Sequence, residues 1–448
     1  MNTMNARSFC TMILCLAGLA STTQADAFVE PDDRGMAITS AIRNIDEGQT
    51  IWLSAGEHIE SISYHNCKDI TIRGQGYRRG DTVIRTDRLY HTFRSSYGCR
   101  ENENMPTITF RDLTFASSAN GNRFKDCLDI NQIKARFINC DFIEIQSHYT
   151  NDPEQPSGSR TTGAIDCYEG ELEFHSCRFI DCGVSWERPR AVLQVLNGGA
   201  IYAFDSLVEI HDSRFEGNYL TVMADDRLAG AQSMANGGAV SMRRGELVVS
   251  GCEFVENSVS GLPGAIQPDL LRGGAIYAEY MDRIRVNDSE FIRNSAMSAG
   301  NRAQDGIGTG GAIHAGGTLQ NNGGYFDWAM YTSDNLFLEN EAGSDGGAIQ
   351  AQAYAIAKIR RDRFECNSLD QVAGEWSDFG GVEFIDCPDC PADLNGDGLV
   401  DKRDLLLIFY NLGPVKKGQK GDSATCDLTG DGVVNVKDYF AWFRLADC

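Results

Sequence analysis

The apolar positions between residues 160 and 385 recur in short alternating stretches and not with a helical period. Stretches such as AIYA and LVEI alternate or run in β-branched and apolar residues, and Gly, Asn, Asp and Ser interrupt them. A period of two is typical of strands, and no long 3.6-residue period occurs in this region. The pattern therefore predicts many short strands joined by turns.

These strands belong to an internal repeat that opens with a glycine pair and closes near a phenylalanine and an asparagine. Successive copies start 36 to 39 residues apart, and they begin at Thr162 (TGAIDCYEGELEFHSCRFIDC, the weakest copy), Gly198 (GGAIYAFDSLVEIHDSRFEGN), Gly237 (GGAVSMRRGELVVSGCEFVEN), Gly273 (GGAIYAEYMDRIRVNDSEFIRN), Gly310 (GGAIHAG) and Gly346 (GGAIQAQ). A strand-rich unit of fixed length predicts an all-β, right-handed parallel β-helix in which each coil pairs with the next.

Equivalent residues of neighbouring coils should then stack on one another. We expect Phe215, Phe254 and Phe291 to form an internal aromatic ladder. We expect Asn218, Asn257 and Asn294 to form an amide ladder that satisfies backbone groups of the turns. The glycine pair should supply backbone conformations that other residues avoid at a corner.

The residue four positions before each phenylalanine is His175, His211, Ser250 and then Asn287. A functional interpretation makes the two histidines a catalytic or metal-binding pair. The simpler interpretation, which we favour, is one polar turn position repeated in successive coils.

Thirteen cysteines remain once Cys10 and Cys15 of the N-terminal segment are set aside. In an oxidising compartment most of them can pair as disulfides, and their spacing is not that of a zinc site. Cys127 and Cys167 each follow an aspartate, and Cys140 and Cys182 each close an FxxC. If these residues occupy neighbouring coils, the spacing of adjacent strands brings each pair within disulfide reach.

The N-terminus is typical of a secretory signal peptide. Arg7 is followed by an apolar run from Phe9 to about Ala20 and then by small residues, which predicts a signal over residues 1–25 with cleavage after Ala25 or Ala27. The mature chain contains no other candidate span, so we expect a secreted or cell-surface protein without a transmembrane segment. Ala37 to Ile45 reads as an amphipathic helix that caps the solenoid.

Two twelve-residue loops, DLNGDGLVDKRD and DLTGDGVVNVKD, start 34 residues apart at Asp393 and Asp427. Their spacing places oxygen donors at positions 1, 3, 5, 7, 9 and 12 around a glycine at position 6, which suits one Ca²⁺ per loop. The predicted ligands are Asp393, Asn395, Asp397, the Leu399 carbonyl, Asp401 and Asp404 in the first loop, and Asp427, Thr429, Asp431, the Val433 carbonyl, Asn435 and Asp438 in the second.

The charge balance makes nucleic acid an improbable partner. The chain has 63 acidic and 40 basic residues, a net charge of −23, and no basic stripe.

The GGA[IV] and FxxN pair resembles the repeats of the polymorphic outer-membrane proteins over residues 160–370, and the N-terminal coils look like the pectin-lyase-like β-helix superfamily. The first resemblance implies a surface-exposed β-helix with an adhesive role. The chain has no C-terminal membrane barrel of that family, so the resemblance does not imply insertion in a membrane.

Each calcium loop runs into one apolar helix (DLLLIFYNL and DYFAWFRLA), and this arrangement over residues 390–448 resembles a type I dockerin. The resemblance implies calcium-dependent folding and a cohesin-like or other extracellular protein partner. Dockerins often meet a cohesin through a hydroxyl pair at loop positions 10 and 11, whereas here those positions are Lys402–Arg403 and Val436–Lys437. We therefore expect residues 1–25 to be a signal peptide, 26–387 the β-helix and 388–448 the dockerin-like domain.

Two functions remain open at this point. The first is a non-catalytic binding or adhesion rod, directed at carbohydrate or a surface, with residues 216–236 and 294–309 as recognition edges. The second is a polysaccharide lyase or glycoside hydrolase, for which Asp126, Asp129, Asp166, Glu169 and Glu171 are candidate paired carboxylates. The regular repeat and the absence of an acid–base motif favour the rod, so no residue is assigned as catalytic.

Overall fold

The computed structural model describes residues 26–31, 35–85, 91–95, 105–117, 128–149, 163–186, 193–222, 232–261, 269–298, 306–316, 328–352, 355–368, 370–385, 394, 402–415 and 426–445. The predicted signal peptide, Asp126, Cys127 and most of the first calcium loop lie outside these ranges.

The described strands between residues 27 and 385 form a parallel β-helix, as the repeat predicts, and its successive coils build three faces. The first face contains Ile62–Tyr64, Phe93–Ser95, Leu128–Asn131, Ile165–Tyr168, the start of Ile201–His211, the start of Val240–Ser250, Ile276–Glu279, Ile313–Gly316, Ile349–Gln352 and Val372–Gly374. The second face contains Ala27–Val29, Thr50–Leu53, Ile70–Gly74, Thr107–Arg111, Lys134–Ile138, Glu171–His175, the ends of the two long strands, Arg283–Asn287, Trp328–Ser333, Ala355–Arg360 and Trp376–Asp378.

The third face is an eleven-stranded parallel sheet. Its strands are Gly56–Ile59, Thr82–Arg85, Thr114–Ala116, Asp141–Ile143, Arg178–Ile180, Arg214–Glu216, Glu253–Val255, Glu290–Ile292, Leu336–Leu338, Arg363–Glu365 and Glu383–Ile385. Eleven strands at a spacing of about 4.8 Å span roughly 50 Å, in agreement with the length expected from the repeat.

Two further parallel sheets, which we call the fin, extend the middle coils. One contains Gln146–Tyr149, Gly183–Trp186, Tyr219–Val222, Ser258–Gly261, Ser295–Ser298 and Glu341–Ala342, and the other contains Leu193–Asn197, Gln232–Asn236, Asp269–Arg272 and Gly306–Thr309. The two sheets share a small apolar core of their own, formed by Val184, Leu196, Leu220, Val222, Ala235, Val259 and Leu271. The described parts of the segments 216–236 and 294–309, which the sequence presents as long variable connections, are therefore largely strands of the fin.

The glycine pair that opens each repeat joins the fin to the first face. Gly198 has φ +61°, and a Cβ there would lie 2.0 Å from the carbonyl oxygen of Ile201. A Cβ on the second glycine, Gly199, would lie 2.0 Å from the carbonyl oxygen of Gly238 in the next coil. The first glycine is thus required by its backbone conformation and the second by the close approach of neighbouring coils.

The predicted ladders are confirmed. The rings of Phe215 and Phe254 are 4.8 Å apart at their centroids and nearly parallel, and Phe254 stacks on Phe291 at the same distance. Beside this stack, the Asn218 amide donates to the Asn257 side-chain oxygen at 2.8 Å, and Asn257 donates in the same way to Asn294 at 2.9 Å. The amide chain continues through Asn340 to Asn367. Each of these side-chain oxygens also accepts from the backbone N–H of the preceding asparagine, so the ladder satisfies backbone groups of the turns.

The predicted Cys140–Cys182 pairing is wrong. Cys140 precedes Asp141, which pairs with Arg178, so Cys140 lies in register with Cys177. The FxxC match misleads because Phe137 belongs to a second phenylalanine stack, in which it pairs with Phe174, whereas Phe179 pairs with Phe142. The Cys140 thiol is free and buried and donates to the Phe110 carbonyl oxygen at 3.4 Å. Cys167 is also a free, buried thiol, and its proposed partner Cys127 lies outside the described residues.

Helix Ala37–Asn44 covers the N-terminal end of the solenoid, as predicted, and buries Ile38 and Ile42. Its first N–H groups, from Ile38 and Thr39, each donate to the Glu60 carboxylate at 2.7 Å. A carboxylate at a helix N-terminus satisfies orphan donors and complements the helix dipole, which accounts for a glutamate that is only 3% exposed.

Asp362 supplies a pH-dependent stability term. Its Oδ1 accepts from the Asn335 backbone and amide at 2.9 and 3.0 Å, while burial raises the pKa of the carboxyl to about 6 from a usual value of 3.8. Because the folded-state pKa is raised, the protonated carboxyl stabilises the folded protein fully below about pH 4. This stabilisation is lost as the pH rises through 6 and the buried carboxyl must ionise. We expect Asp362→Asn to raise the free energy of unfolding at pH 7.5 by on the order of 2 kcal/mol and to have little effect at pH 4. Urea unfolding at both pH values measures this difference.

The matched control is Asp288→Asn, an exposed turn residue with φ +50°, which asparagine tolerates. If Asp362→Asn changed the free energy of unfolding equally at pH 4 and pH 7.5, removal of the carboxylate charge would not be the cause of the change.

Candidate functional sites

The second calcium loop lies wholly within the described residues, and its backbone is folded around its own carboxylates. Asp427 accepts from the N–H groups of Asp431 and Gly432 at 3.1 and 2.8 Å. Gly432, at position 6, has φ +83°, the conformation for which the motif reserves a glycine. The loop therefore turns where the sequence predicts.

Asp438 closes the loop at position 12. It is fully buried, and its carboxylate accepts from the Thr429 N–H and hydroxyl at 2.9 Å each and from the Asn435 N–H at 2.8 Å. Burial opposes ionisation of this carboxyl, but these hydrogen bonds hold its pKa below the usual value. An ionised carboxylate is therefore fixed at the start of helix Val436–Leu445.

The donors of this loop fit calcium by type. Asp427, Asp431 and Asp438 offer carboxylate oxygens, Thr429 a hydroxyl and Asn435 an amide oxygen, all hard ligands that Ca²⁺ prefers. Across the described residues no three His, Cys, Asp or Glu side chains already converge as a metal cage. The carboxylates are instead engaged by N–H groups of the loop and, for Asp431, by the Lys437 ammonium at 2.9 Å. A bound calcium ion would link these oxygens and replace Lys437 at Asp431.

Lys437→Gln is expected to tighten calcium binding by about two- to fivefold, because it removes an exposed ion pair that competes with calcium for Asp431. Calorimetric titration of calcium into the full chain measures the change, with Lys358→Gln on the solenoid as the control. An affinity that falls in the Lys437 variant would contradict competition.

Of the first loop, the structure describes Leu394 and the residues from 402 onwards. Asp404 is fully buried and accepts from the Leu394 N–H at 2.8 Å, as its counterpart Asp438 accepts within the second loop. The other predicted ligands, Asp393, Asn395, Asp397, Leu399 and Asp401, lie outside the described residues. Helices Lys402–Tyr410 and Val436–Leu445 share a core with the buried residues Leu394, Ile408, Cys426, Val434 and Trp442.

A second candidate site lies on the outer surface of the first face. One row of outward-pointing residues, in register from coil to coil, is largely buried beneath the fin: Asp166, Tyr202, Ser241, Tyr277, His314 and Gln350. The Arg272 guanidinium lies 3.4 Å from the Tyr277 hydroxyl, and the Thr309 hydroxyl lies 2.8 Å from His314 Nδ1, so the fin strands end directly over this row. Burial lowers the pKa of His314 to about 3, which keeps the imidazole neutral.

The next outward-pointing position along each strand is partly exposed, and we call these residues the open row: Tyr168, Phe204, Arg243 and Glu279. The ring centroids of Tyr168 and Phe204 are 6.0 Å apart, and Arg244 lies over the Phe204 ring at 5.5 Å. Arg243 pairs with Glu279 at 3.3 Å. Adjacent aromatic rings flanked by paired charges form a surface that can contact both apolar faces and hydroxyl groups of a ligand.

The structure brings together only part of the predicted carboxylate cluster. Asp129 and Asp166 are in register on neighbouring strands of the first face. Asp129 contacts Arg94 at 3.2 Å. Glu169 lies in the turn at the end of that strand, Glu171 lies on the second face and pairs with Lys134, and Asp126 is outside the described residues.

The His175–His211 pair occupies one strand-end position in successive coils. The two residues are in register, and Ser250 and Asn287 follow in the same row. The rings stack with centroids 5.0 Å apart, and His175 Nε2 lies 2.7 Å from Glu173. The structure confirms one polar position repeated in successive coils, and this position is the last residue of a strand instead of a turn residue.

Sequence reasoning missed the open row. Tyr168 and Phe204 follow the predicted strands by one or two residues, and the motif AIYA ends before them. The sequence does contain one signal for this row, which is a fixed spacing. Tyr168 and Phe204 each stand six positions after the first residue of their repeat.

The described residues contain no helix long and apolar enough to cross a membrane. Together, the coils and the C-terminal module define a parallel β-helix protein that carries a dockerin type I domain, since residues 391–441 match the family model of that domain. Domains of this family bind calcium and occur in extracellular proteins.

No curated protein matches the sequence. Among solved structures, the chain is similar to the catalytic unit of an α-1,3-glucanase from Streptomyces thermodiastaticus, with 12% identity and a TM-score of 0.31 over 83% of this chain and 69% of the other. It is also similar to a lacto-N-biosidase from Eubacterium ramulus, with 11% identity and a TM-score of 0.30 over 85% and 70%. A mannuronan epimerase module from Azotobacter vinelandii gives 13% identity and a TM-score of 0.22 over 80% and 92%. Similarity at this level carries no information on substrate.

Proposed function

We propose that the protein is an exported carbohydrate-binding rod that joins an extracellular assembly through its calcium-loaded dockerin domain. The observation that carries the carbohydrate role is the open row, in which Tyr168 and Phe204 lie side by side on the outside of the solenoid with Arg243, Arg244 and Glu279 around them. Sugar rings present apolar C–H faces and a rim of hydroxyl groups. Aromatic rings and charged hydrogen-bonding groups complement these two features.

The assembly role is supported by the dockerin match over residues 391–441 and by a second loop whose oxygen donors fit calcium. In this proposal calcium occupies one site in each loop. The ion orders the domain, and the domain binds a cohesin-like module of another extracellular protein. The solenoid, whose coils are held by backbone pairing and ladders, needs no calcium for its own fold.

One observation favours a second function, cleavage of the bound polysaccharide. Asp129 and Asp166 are carboxylates in register on adjacent strands about 4.8 Å apart. Carboxyl groups about 5 Å apart suit a retaining glycoside hydrolase, in which one acts as nucleophile and the other as acid and base. Asp129 is already held by Arg94, whose guanidinium would orient it for the nucleophile role.

A panel of neutral and acidic polysaccharides separates the two functions. Protein spanning residues 26–448 is incubated with each polysaccharide in calcium and in chelator, and retention and newly formed reducing or unsaturated ends are measured together. Retention without product, unchanged by chelator, is the result expected for a binding rod. Product that disappears in Asp129→Asn and Asp166→Asn would establish the enzyme instead, and neither retention nor product would reject a carbohydrate role.

A further inference from the structure

The two halves of the dockerin domain are not equivalent in the intact chain, because the solenoid binds one of them. Arg403, at position 11 of the first loop, places its guanidinium against Glu341 of the fin, with Nη1 at 3.1 and 3.2 Å from the two carboxylate oxygens and Nη2 at 3.2 Å from Oε2. The Glu341 side chain is only 9% exposed. The Arg403 side chain is 39% exposed. A two-pronged guanidinium–carboxylate contact fixes orientation as well as attraction.

The equivalent residue of the second loop is free of the solenoid. Lys437 also stands at position 11, but its side chain is 69% exposed and pairs within its own loop, with Asp431. The internal repeat of the domain therefore has one side occupied by the chain itself and one side turned to solvent.

The dockerin domain carries a concentration of apolar surface. Of the fifteen large hydrophobic residues that are exposed among the described ones, seven lie in the dockerin domain: Leu406, Phe409, Tyr410, Leu412, Val433, Val436 and Phe440. Pairing of Pro414 with Val433 brings the end of the first half beside the second loop, and Tyr439 contacts both Phe409 and Phe440, with centroids 5.6 and 5.5 Å apart. Contiguous apolar surface of this kind on a small domain marks a protein–protein interface.

We infer that the dockerin domain has a single partner-binding surface, formed by Phe409, Leu412, Val433, Val436 and Phe440, and that Arg403 and Glu341 hold the other side against the solenoid. The occupant that fits is one folded protein module with an apolar contact surface, bound one to one. This inference rests on the proposed docking role. It adds the side of the domain that binds the partner, the stoichiometry of the complex and a fixed orientation of the domain relative to the rod.

The contact with the solenoid is tested without any partner, by modification of the calcium-loaded full chain with phenylglyoxal, which reacts with accessible guanidinium groups. We expect Arg403 to react several-fold more slowly than Arg285, an exposed arginine of the second face. Glu341→Ala should remove that protection, whereas Glu365→Ala, which frees Arg363 at a comparable ion pair, should not. Arg403 reacting as fast as Arg285 in the unmodified chain would overturn the inference.

The partner side is tested with purified type I cohesin modules by sedimentation velocity and surface plasmon resonance. We expect one cohesin per chain, loss of binding in Val436→Asp and Phe440→Ala, and retained binding in Arg403→Ala. Two cohesins per chain, or loss in Arg403→Ala with retention in Val436→Asp, would overturn the single surface. If no cohesin binds, the proposed docking role fails, while the Arg403 modification still decides which side the solenoid covers.

Discussion

Replacing Phe254 with alanine is expected to lower the free energy of unfolding of the β-helix by about 3–5 kcal/mol. The ring is fully buried and stacks between Phe215 and Phe291 at 4.8 Å on each side, so truncation removes two ring contacts and leaves a cavity that rigid coils cannot close. Urea unfolding followed by circular dichroism gives the difference between variant and unmodified protein.

Phe384→Ala is the matched control. Phe384 is the last described phenylalanine of the same stack, and its side chain is 45% exposed. Its ring stacks on Phe364, meets Trp376 edge to face and is otherwise open, so its removal should cost about 1 kcal/mol. Equal shifts for the two variants would mean that the ladder contributes little beyond ordinary burial.

Removing calcium is expected to unfold the dockerin domain while the solenoid stays folded. The second loop concentrates the carboxylates of Asp427, Asp431 and Asp438 within twelve residues, and without a cation their mutual repulsion opposes the closed loop. Hydrogen exchange in chelator should show loss of protection in helices Lys402–Tyr410 and Val436–Leu445 and unchanged protection in the strands of the three faces.

Asp438→Asn tests the same site at one residue. It removes the buried charge at position 12 but retains the shape of the side chain, and we expect calcium affinity of the second loop to fall by about 100-fold or more, since even groups that only orient ligands are worth 10–100-fold. Asp205→Asn, at an exposed position with φ +52° within strand Ile201–His211, is the control and should leave calcium binding unchanged. Full calcium affinity in Asp438→Asn would remove this residue from the site.

The sequence predicts the repeat-bearing part of the fold well because its signals are periodic. The glycine pair, the phenylalanine and the asparagine each recur once per coil, and each is required by a local constraint, such as the backbone of Gly198 or the amide chain through Asn257. The fin escapes prediction because its strands, such as Tyr219–Val222, are short and are separated by connections that vary from coil to coil. They keep a fixed spacing from the repeat, since Tyr219 and Ser258 each stand four residues after a ladder phenylalanine, but no single residue type recurs in them.

The cysteine error has a specific physical cause. Phenylalanine fills inward positions on both the second and the third face, so a motif anchored on that residue alone cannot tell Phe137 from Phe142. In the second calcium loop, by contrast, the turn at Gly432 and the closing position of Asp438 lie where the motif predicts, because the motif fixes the residue type at each position. Their role as calcium ligands stays a prediction. Sites formed between coils, such as the open row, depend on register and are found only once the register is known.

The proposed polysaccharide-binding surface and the proposed partner-binding surface lie on different parts of the protein, so both can be occupied at once. The open row lies on the first face, and Arg403 fixes the dockerin domain to the fin at Glu341. A partner bound at Val436 and Phe440 would therefore hold the rod in a defined orientation, with its carbohydrate-binding face directed by the assembly.

The most direct test of the carbohydrate role is affinity electrophoresis of the full chain and a Tyr168→Ala/Phe204→Ala variant through gels that contain each polysaccharide of the panel. Phe28→Ala, an aromatic residue that is 71% exposed in the first coil, is the control, and thermal unfolding verifies that all three proteins are folded. We predict that at least one polysaccharide retards the unmodified protein and the Phe28 variant, with or without calcium, and does not retard the double variant. Equal retardation of all three proteins, or none of any, would contradict a carbohydrate-binding open row.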